Sequence, residues 1–172
     1  KVYIFITGMH LMSKYGNTYE QIKNECTKST IIKFRNQTGH QMLDKIISNT
    51  IGGISKHLKK VKPNLVFVHG DRVEAFASAT AASVNNFLVA HIEGGELSGT
   101  IDEHLRHAIS KLSHIHFPAT ETAKQNILKM GEDPEYVFNV GCPAIDNLTT
   151  SINKDISLIG LTGTGFKFKE NE

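Results

Sequence analysis

Short apolar runs alternate with amphipathic stretches along this chain, and that alternation predicts strands separated by helices. Val2 to Thr7 reads as a strand ending at Gly8, and Ile31 to Phe34 as an edge strand. Met42 to Val61 has the helical period: Leu43, Ile46, Ile47, Thr50, Ile54, Leu58 and Val61 fall on one face. Gly52 and Gly53 interrupt it, which suits close packing at that point. Leu65 to Val68 is a branched apolar strand that stops at His69-Gly70-Asp71, and a small-residue helix follows from Val73 to Val84. Phe87 to Ala90 is the next strand, stopping at His91-Ile92-Glu93-Gly94-Gly95. Thr100 to Glu103 has the form of a capping box, and Leu105, Ala108, Ile109 and Leu112 form the buried stripe of the helix after it. His114 to His116 alternates like a strand, and Thr122 to Met130 is a helix ended by Gly131. Tyr136 to Val140 reads as a strand, and Ile145 to Ile152 opens a last helix. The expected fold is α/β, a three-layer Rossmann-like parallel sheet.

Leu65 to Ala90 is a βαβ unit, so its two strands should be parallel neighbours. Function in open α/β sheets sits beyond the carboxyl ends of the strands. Asp71 and Glu93 occupy equivalent positions there, one per strand, and adjacent strands lie about 4.8 Å apart. Two acids held close, with Gly70, Gly94 and Gly95 clearing space, suggest a reaction site. Asp71 alone reads equally well as a cap for the next helix. Asp102 alone reads as an acid favoured by the dipole of a first helical turn, and at four residues' spacing it can pair with Arg106. His10 ends its strand at the same edge. Thr18 can cap a short helix running to Glu25.

Composition narrows the function. A net charge of +2 over 172 residues points to neither nucleic acid nor an acidic membrane surface. No apolar run approaches the ~18 residues of a membrane span. Cys26 and Cys142 are too few for a disulfide framework, so a reducing cytoplasm is the expected setting. Cys142 reads as a small buried residue and not as a nucleophile. Five of the nine histidines fall between His91 and His116, yet the usual zinc spacings are missing, so no metal is expected. The chain opens inside an apolar run without Met, and the phosphate-holding strand and loop that usually start a doubly wound domain are expected to be missing. Residues 1–150 read as the domain and 151–172 as linker or frayed tail.

Four stretches carry a resemblance: GMHLMSKYGNTY, VHGDRVEA, HIEGGELSGTIDEHLRHAISKLSHIH and GCPAID. Together, in this order, they resemble the hydrolysing UDP-N-acetylglucosamine 2-epimerases of bacterial sialic-acid biosynthesis, which are similar to the epimerase half of the bifunctional animal enzyme. The resemblance runs from Lys1 to about Leu148. It implies the N-terminal domain of a two-domain glycosyltransferase-B-like fold, with the family's opening strand and second domain not in this chain. It further implies conversion of UDP-N-acetylglucosamine to UDP and N-acetylmannosamine in a cytoplasmic homo-oligomer, dimer or tetramer, with no cofactor. By the same resemblance Asp71, Glu93 and Asp102 match the family's essential acids. Arg72 matches an arginine approaching the UDP phosphates, His10, His69 and His91 match histidines at or near the site, and Arg106 matches a supporting arginine. A diacetamido-trideoxyhexose nucleotide remains an alternative substrate, and a non-catalytic nucleotide-sugar-binding or dimerisation module an alternative function.

Overall fold

The computed structural model describes residues 1–39 and 41–146. The chain divides after Val140. Of the part beyond, residues 141–146 are described, and they form one turn in which the amides of Ile145 and Asp146 donate to the Cys142 carbonyl. The expected last helix lies mostly outside the described residues, and the expected tail lies wholly outside them.

Up to Val140 the architecture is α/β with parallel strands, in a Rossmann-like arrangement. In chain order the elements are β1 (Tyr3–Ile6), α1 (Tyr19–Glu25), β2 (Thr30–Lys33), α2 (Leu43–Val61), β3 (Leu65–His69), α3 (Val73–Ser83), β4 (Leu88–Ile92), α4 (Ile101–Leu112), β5 (Ile115–Phe117) and α5 (Glu121–Lys129). Instead of one continuous sheet there are two parallel ladders, β1-β2 and β3-β4-β5. β1 and β3, together with α2, wall a cavity of about 870 Å³ lined largely by apolar side chains, among them Phe5, Leu58 and Val66. The central ladder aligns Leu65 with Leu88 and His69 with Ile92, which brings the carboxyl ends of β3 and β4 side by side.

The core explains these elements. α2 packs on α3 and α3 on α4. Ile54 and Leu58 of α2 meet Val68, Val89, Ile109 and the fully buried Ala79, Ala81 and Ala82 of α3. Alanine lets α3 lie close between its neighbours, because a larger side chain there would overpack the core. Gly53 has a similar reason: a Cβ there would lie 2.3 Å from the Phe34 ring, whereas Gly52 faces open space. The predicted stripe of α2 holds at Ile46, Thr50, Ile54 and Leu58, while Leu43 at its first turn is exposed.

Three local expectations change. Tyr136 to Val140 is not a strand. Pro134–Tyr136 forms a 3-10 turn, and pairing with β5 is limited to one parallel bridge between Val137 and His116. The capping box is not made. Thr100 stands at the N-cap with its hydroxyl bonded to Ser98 Oγ and not to the helix, and the Glu103 carboxylate reaches further back, to the amides of Ser98 (2.6 Å) and Gly99 (2.7 Å). Those two amides hold the Glu103 carboxyl below its usual range. Thr18 precedes α1 but does not cap it; its hydroxyl bonds His10 Nδ1 at 2.7 Å. Among the described residues, no helix is long and apolar enough to cross a membrane.

Candidate active site

The carboxyl ends of β3, β4 and β5 are tied together by the main chain. The Gly70 amide donates to Ile92 O at 3.0 Å, and the Glu93 amide donates to Phe117 O at 2.9 Å. Gly70 turns the chain sharply at φ 73°, with open space where a Cβ would project. Asp71 follows. It does not cap α3, whose N-cap position is taken by Arg72 without a side-chain bond. The Asp71 carboxylate instead accepts from Arg106 Nη2 of α4. Arg106 is largely buried and its other terminal nitrogen donates to Glu96 O, so the guanidinium is oriented on two sides. The expected pairing of Arg106 with Asp102 is therefore replaced by pairing with Asp71. Asp102 lies exposed in the first turn of α4, one turn above Arg106.

Glu93 is held in the left-handed region at φ 62°. Such backbone costs of order 1–3 kcal/mol for a residue with a Cβ and concentrates at functional sites. Its carboxylate accepts from His69 Nε2 at 2.8 Å. A carboxylate only accepts, so the Nε2 proton stays on His69 in this contact. Each strand-end acid thus has a basic partner from another element. Both acids remain partly open, with side-chain exposures of 28% for Asp71 and 27% for Glu93.

Towards β1 the same edge carries His10, His69, Arg72 and Glu74, all of which line the mouth of the β1/β3 cavity. The Arg72 side chain is 61% exposed and lies 3.7 Å from the Glu74 carboxylate. Sequence reading did not single out Glu74 as a site residue. Its Oε2 is buried without a hydrogen bond, and its Oε1 lies 2.4 Å from where a Gly8 Cβ would stand. The signal for it was present in the sequence, as an acid in the first turn of the helix that Asp71 introduces.

His91 and the glycine pair differ from expectation. His91 is fully buried in β4, not turned toward a ligand. Its Nε2 lies 2.8 Å from Gly70 O and its Nδ1 3.0 Å from Ser110 Oγ. A carbonyl only accepts, so Nε2 carries the proton and Nδ1 accepts from the serine hydroxyl. Burial pushes the imidazole down to about 4, and the nearby His116, Arg106 and His69 act in the same direction against the Gly70 bond. Gly94 and Gly95 do not clear space for a ligand. A Cβ on Gly94 would fall 2.7 Å from His91 Nδ1, and one on Gly95 2.2 Å from Ala123 O. They let the Glu93 loop press down onto the interior. Among the described residues, no group of three or more His, Cys, Asp or Glu is placed to hold a metal ion.

The arrangement is an edge with two carboxylates on adjacent strands, a guanidinium and an imidazole beside them, and an exposed arginine at a helix start. It can abstract or deliver protons next to a developing cation, and it can meet an anionic leaving group.

Comparison with known proteins identifies relatives of the chain. Residues 1–165 match the family model described as UDP-N-acetylglucosamine 2-epimerase. A Neisseria meningitidis serogroup B protein named UDP-N-acetylglucosamine 2-epimerase is 41% identical, over 88% of this chain and 40% of its own length. A Legionella pneumophila protein named UDP-N,N'-diacetylbacillosamine 2-epimerase (hydrolyzing) is 43% identical, over 84% of this chain and 39% of its own. The crystal structure of a Neisseria meningitidis UDP-GlcNAc 2-epimerase bound to UDP-GlcNAc superposes with a TM-score of 0.70 at 25% identity, covering 92% of this chain and 51% of that one. The chain spans about 40% of the length of the curated relatives it matches.

Proposed function

The chain belongs to the UDP-N-acetylglucosamine 2-epimerase family, and on that premise we propose that it carries the acid-base wall of a hydrolysing 2-epimerase. The whole protein converts UDP-N-acetylglucosamine to UDP and N-acetylmannosamine, for sialic-acid-type sugar synthesis. The observation that carries this reading is the pairing at the sheet edge, Asp71 with Arg106 and Glu93 with His69.

In the first half-reaction a carboxylate takes the proton from C2. The C1–O bond to UDP breaks, and its electron pair leaves with the pyrophosphate. A C1=C2 double bond forms, giving a glycal. Positive charge develops at C1, which the remaining carboxylates stabilise, and negative charge develops on the phosphate, which Arg72 and the start of α3 meet. In the second half-reaction water gives one proton to a carboxylate and its hydroxyl oxygen bonds C1, while a protonated acid delivers a proton to C2 from the opposite face, and the double bond is consumed. Asp71, Glu93 and Asp102 share these roles, with His10 and His69 lining the approach and Arg106 fixing Asp71. No metal or redox cofactor enters the scheme.

The test joins residues 1–146 to the remainder of the Neisseria meningitidis serogroup B relative in place of its matching part. Supplied with UDP-N-acetylglucosamine in deuterated water, the chimera should release UDP and N-acetylmannosamine with one deuteron at C2. Release of sugar that keeps its C2 hydrogen would overturn the elimination. The identity to the Legionella relative favours a second substrate, UDP-N,N'-diacetylbacillosamine, and the same assay with that nucleotide decides between them. Binding of either nucleotide without UDP release would favour the binding-module alternative.

A further inference from the structure

His91 joins the three segments that bear the candidate acids. It lies in β4, two residues before Glu93. Its Nε2 holds the Gly70 carbonyl, immediately before Asp71. Its Nδ1 bonds Ser110, one turn below Arg106 on the helix that begins with Asp102. The Glu93 loop passes directly over this pair: a Cβ on Gly94 would lie 2.7 Å from Nδ1 and 2.8 Å from Ser110 Oγ.

The Gly70 peptide needs such a holder. With φ at 73° and no side chain, its carbonyl can rotate into other glycine conformations at little cost. The amide side is fixed by Ile92 O, and the carbonyl side by His91. Rotating that carbonyl would redirect Asp71 away from Arg106. The imidazole holds the Gly70 carbonyl only with a proton on Nε2, and in its neutral form it also accepts from Ser110 at Nδ1. Protonation would put a donor at Nδ1 and leave Ser110 as acceptor alone, inside a buried site that also faces Arg106 from α4, His69 from β3 and His116 from β5.

We propose that His91 is a positioning residue that orients the Gly70-Asp71 peptide and locks it to α4 and the Glu93 loop. The catalytic consequence rests on the epimerase reading above; the positioning itself does not.

Three variants of the 172-residue chain test it: His91→Phe, His91→Gln and Ser110→Ala. Nitrogen-15 spectra of the parent should show the His91 ring with its proton on Nε2 at pH 7 and still neutral at pH 5.5. Amide hydrogen exchange at Gly70 and Glu93, which donate to Ile92 O and Phe117 O, should quicken about 10-fold or more in His91→Phe, with core amides such as Val89 unchanged. His91→Gln, whose amide can still donate to Gly70 O, should restore most of the protection. Should His91→Phe fail to fold, Ser110→Ala releases the other end of the ring and should quicken exchange at the same two amides by a smaller factor. In the chimera, His91→Phe should lower kcat about 10-fold or more and leave KM within about threefold, because only the reacting acid is misplaced. A neutral ring with its proton on Nδ1, or unchanged exchange at Gly70 and Glu93 in folded His91→Phe and Ser110→Ala, overturns the proposal. An inactive parent chimera would count against the epimerase reading and leave the exchange result to decide the positioning.

Discussion

Glu93, proposed as one of the catalytic acids, has a backbone that favours glycine or asparagine. Two effects compete when it is replaced. Relief of the left-handed conformation should return about 1 kcal/mol, and loss of the partly exposed bond to His69 should cost no more than about that. Asparagine tolerates this conformation without the unfolded-state entropy of glycine. Glu93→Asn should therefore be at least as stable as the parent in urea unfolding of the 172-residue chain, while nearly abolishing UDP release in the chimera. An acid kept at a strained position against stability indicates function. A loss of more than about 2 kcal/mol would instead make Glu93 a structural residue.

β4 and β5 place two histidines in register, His91 opposite His116. Burial depresses both. His91 falls from 6.5 to about 4, and His116 falls too, although Glu132 at 3.3 Å resists the shift. The native state thus binds fewer protons than the unfolded chain once pH drops below the ordinary histidine range. The stability linked to neutral His91 is fully present above about pH 6.5 and is lost progressively as pH falls toward 4. For His91 alone the shift corresponds to about 3 kcal/mol. Urea midpoints should fall steeply over that interval, and His91→Gln should flatten the slope; equal slopes in parent and variant would refute the linkage. Little of this pair was legible in the sequence. The resemblance put His91 at the site, whereas it is buried, and its partner Ser110 lies 19 residues away and only the packing of α4 on the sheet brings it close. The βαβ unit was legible because branched runs, small helix residues and terminal glycines all agree there. Tyr136 to Val140 misled because apolar alternation says nothing about whether a partner strand is long enough. β5 spans three residues, and its pairing with this segment stops at one bridge. Glu103 misled because the Ser98 and Gly99 amides compete for its carboxylate with the expected cap.

At the scale of the molecule, the acids sit on a wall that is open toward solvent. Asp71 and Glu93 are each more than a quarter exposed, and Arg72 at the start of α3 is 61% exposed. A nucleotide pyrophosphate needs several converging donors, and this edge offers chiefly Arg72 and one helix start. Water at an open wall keeps the local dielectric high, so each carboxylate stabilises a ring cation less than it would in a closed cleft. Positioning is weaker too, and in well-oriented systems that alone is worth about 7–11 kcal/mol of barrier. The 172-residue chain by itself should therefore bind UDP-N-acetylglucosamine weakly and release UDP far more slowly than the chimera that supplies the rest of the Neisseria relative. Exposed apolar side chains at the sheet, Phe67 and Phe138 among them, should also make the chain alone self-associate as its concentration rises. Calorimetric titration with the nucleotide sugar, a coupled UDP assay and sedimentation velocity test the three points. If the chain alone released UDP as fast as the chimera, the acids of β3, β4 and α4 with Arg72 would suffice for catalysis, and closure of the cleft would contribute nothing to the rate.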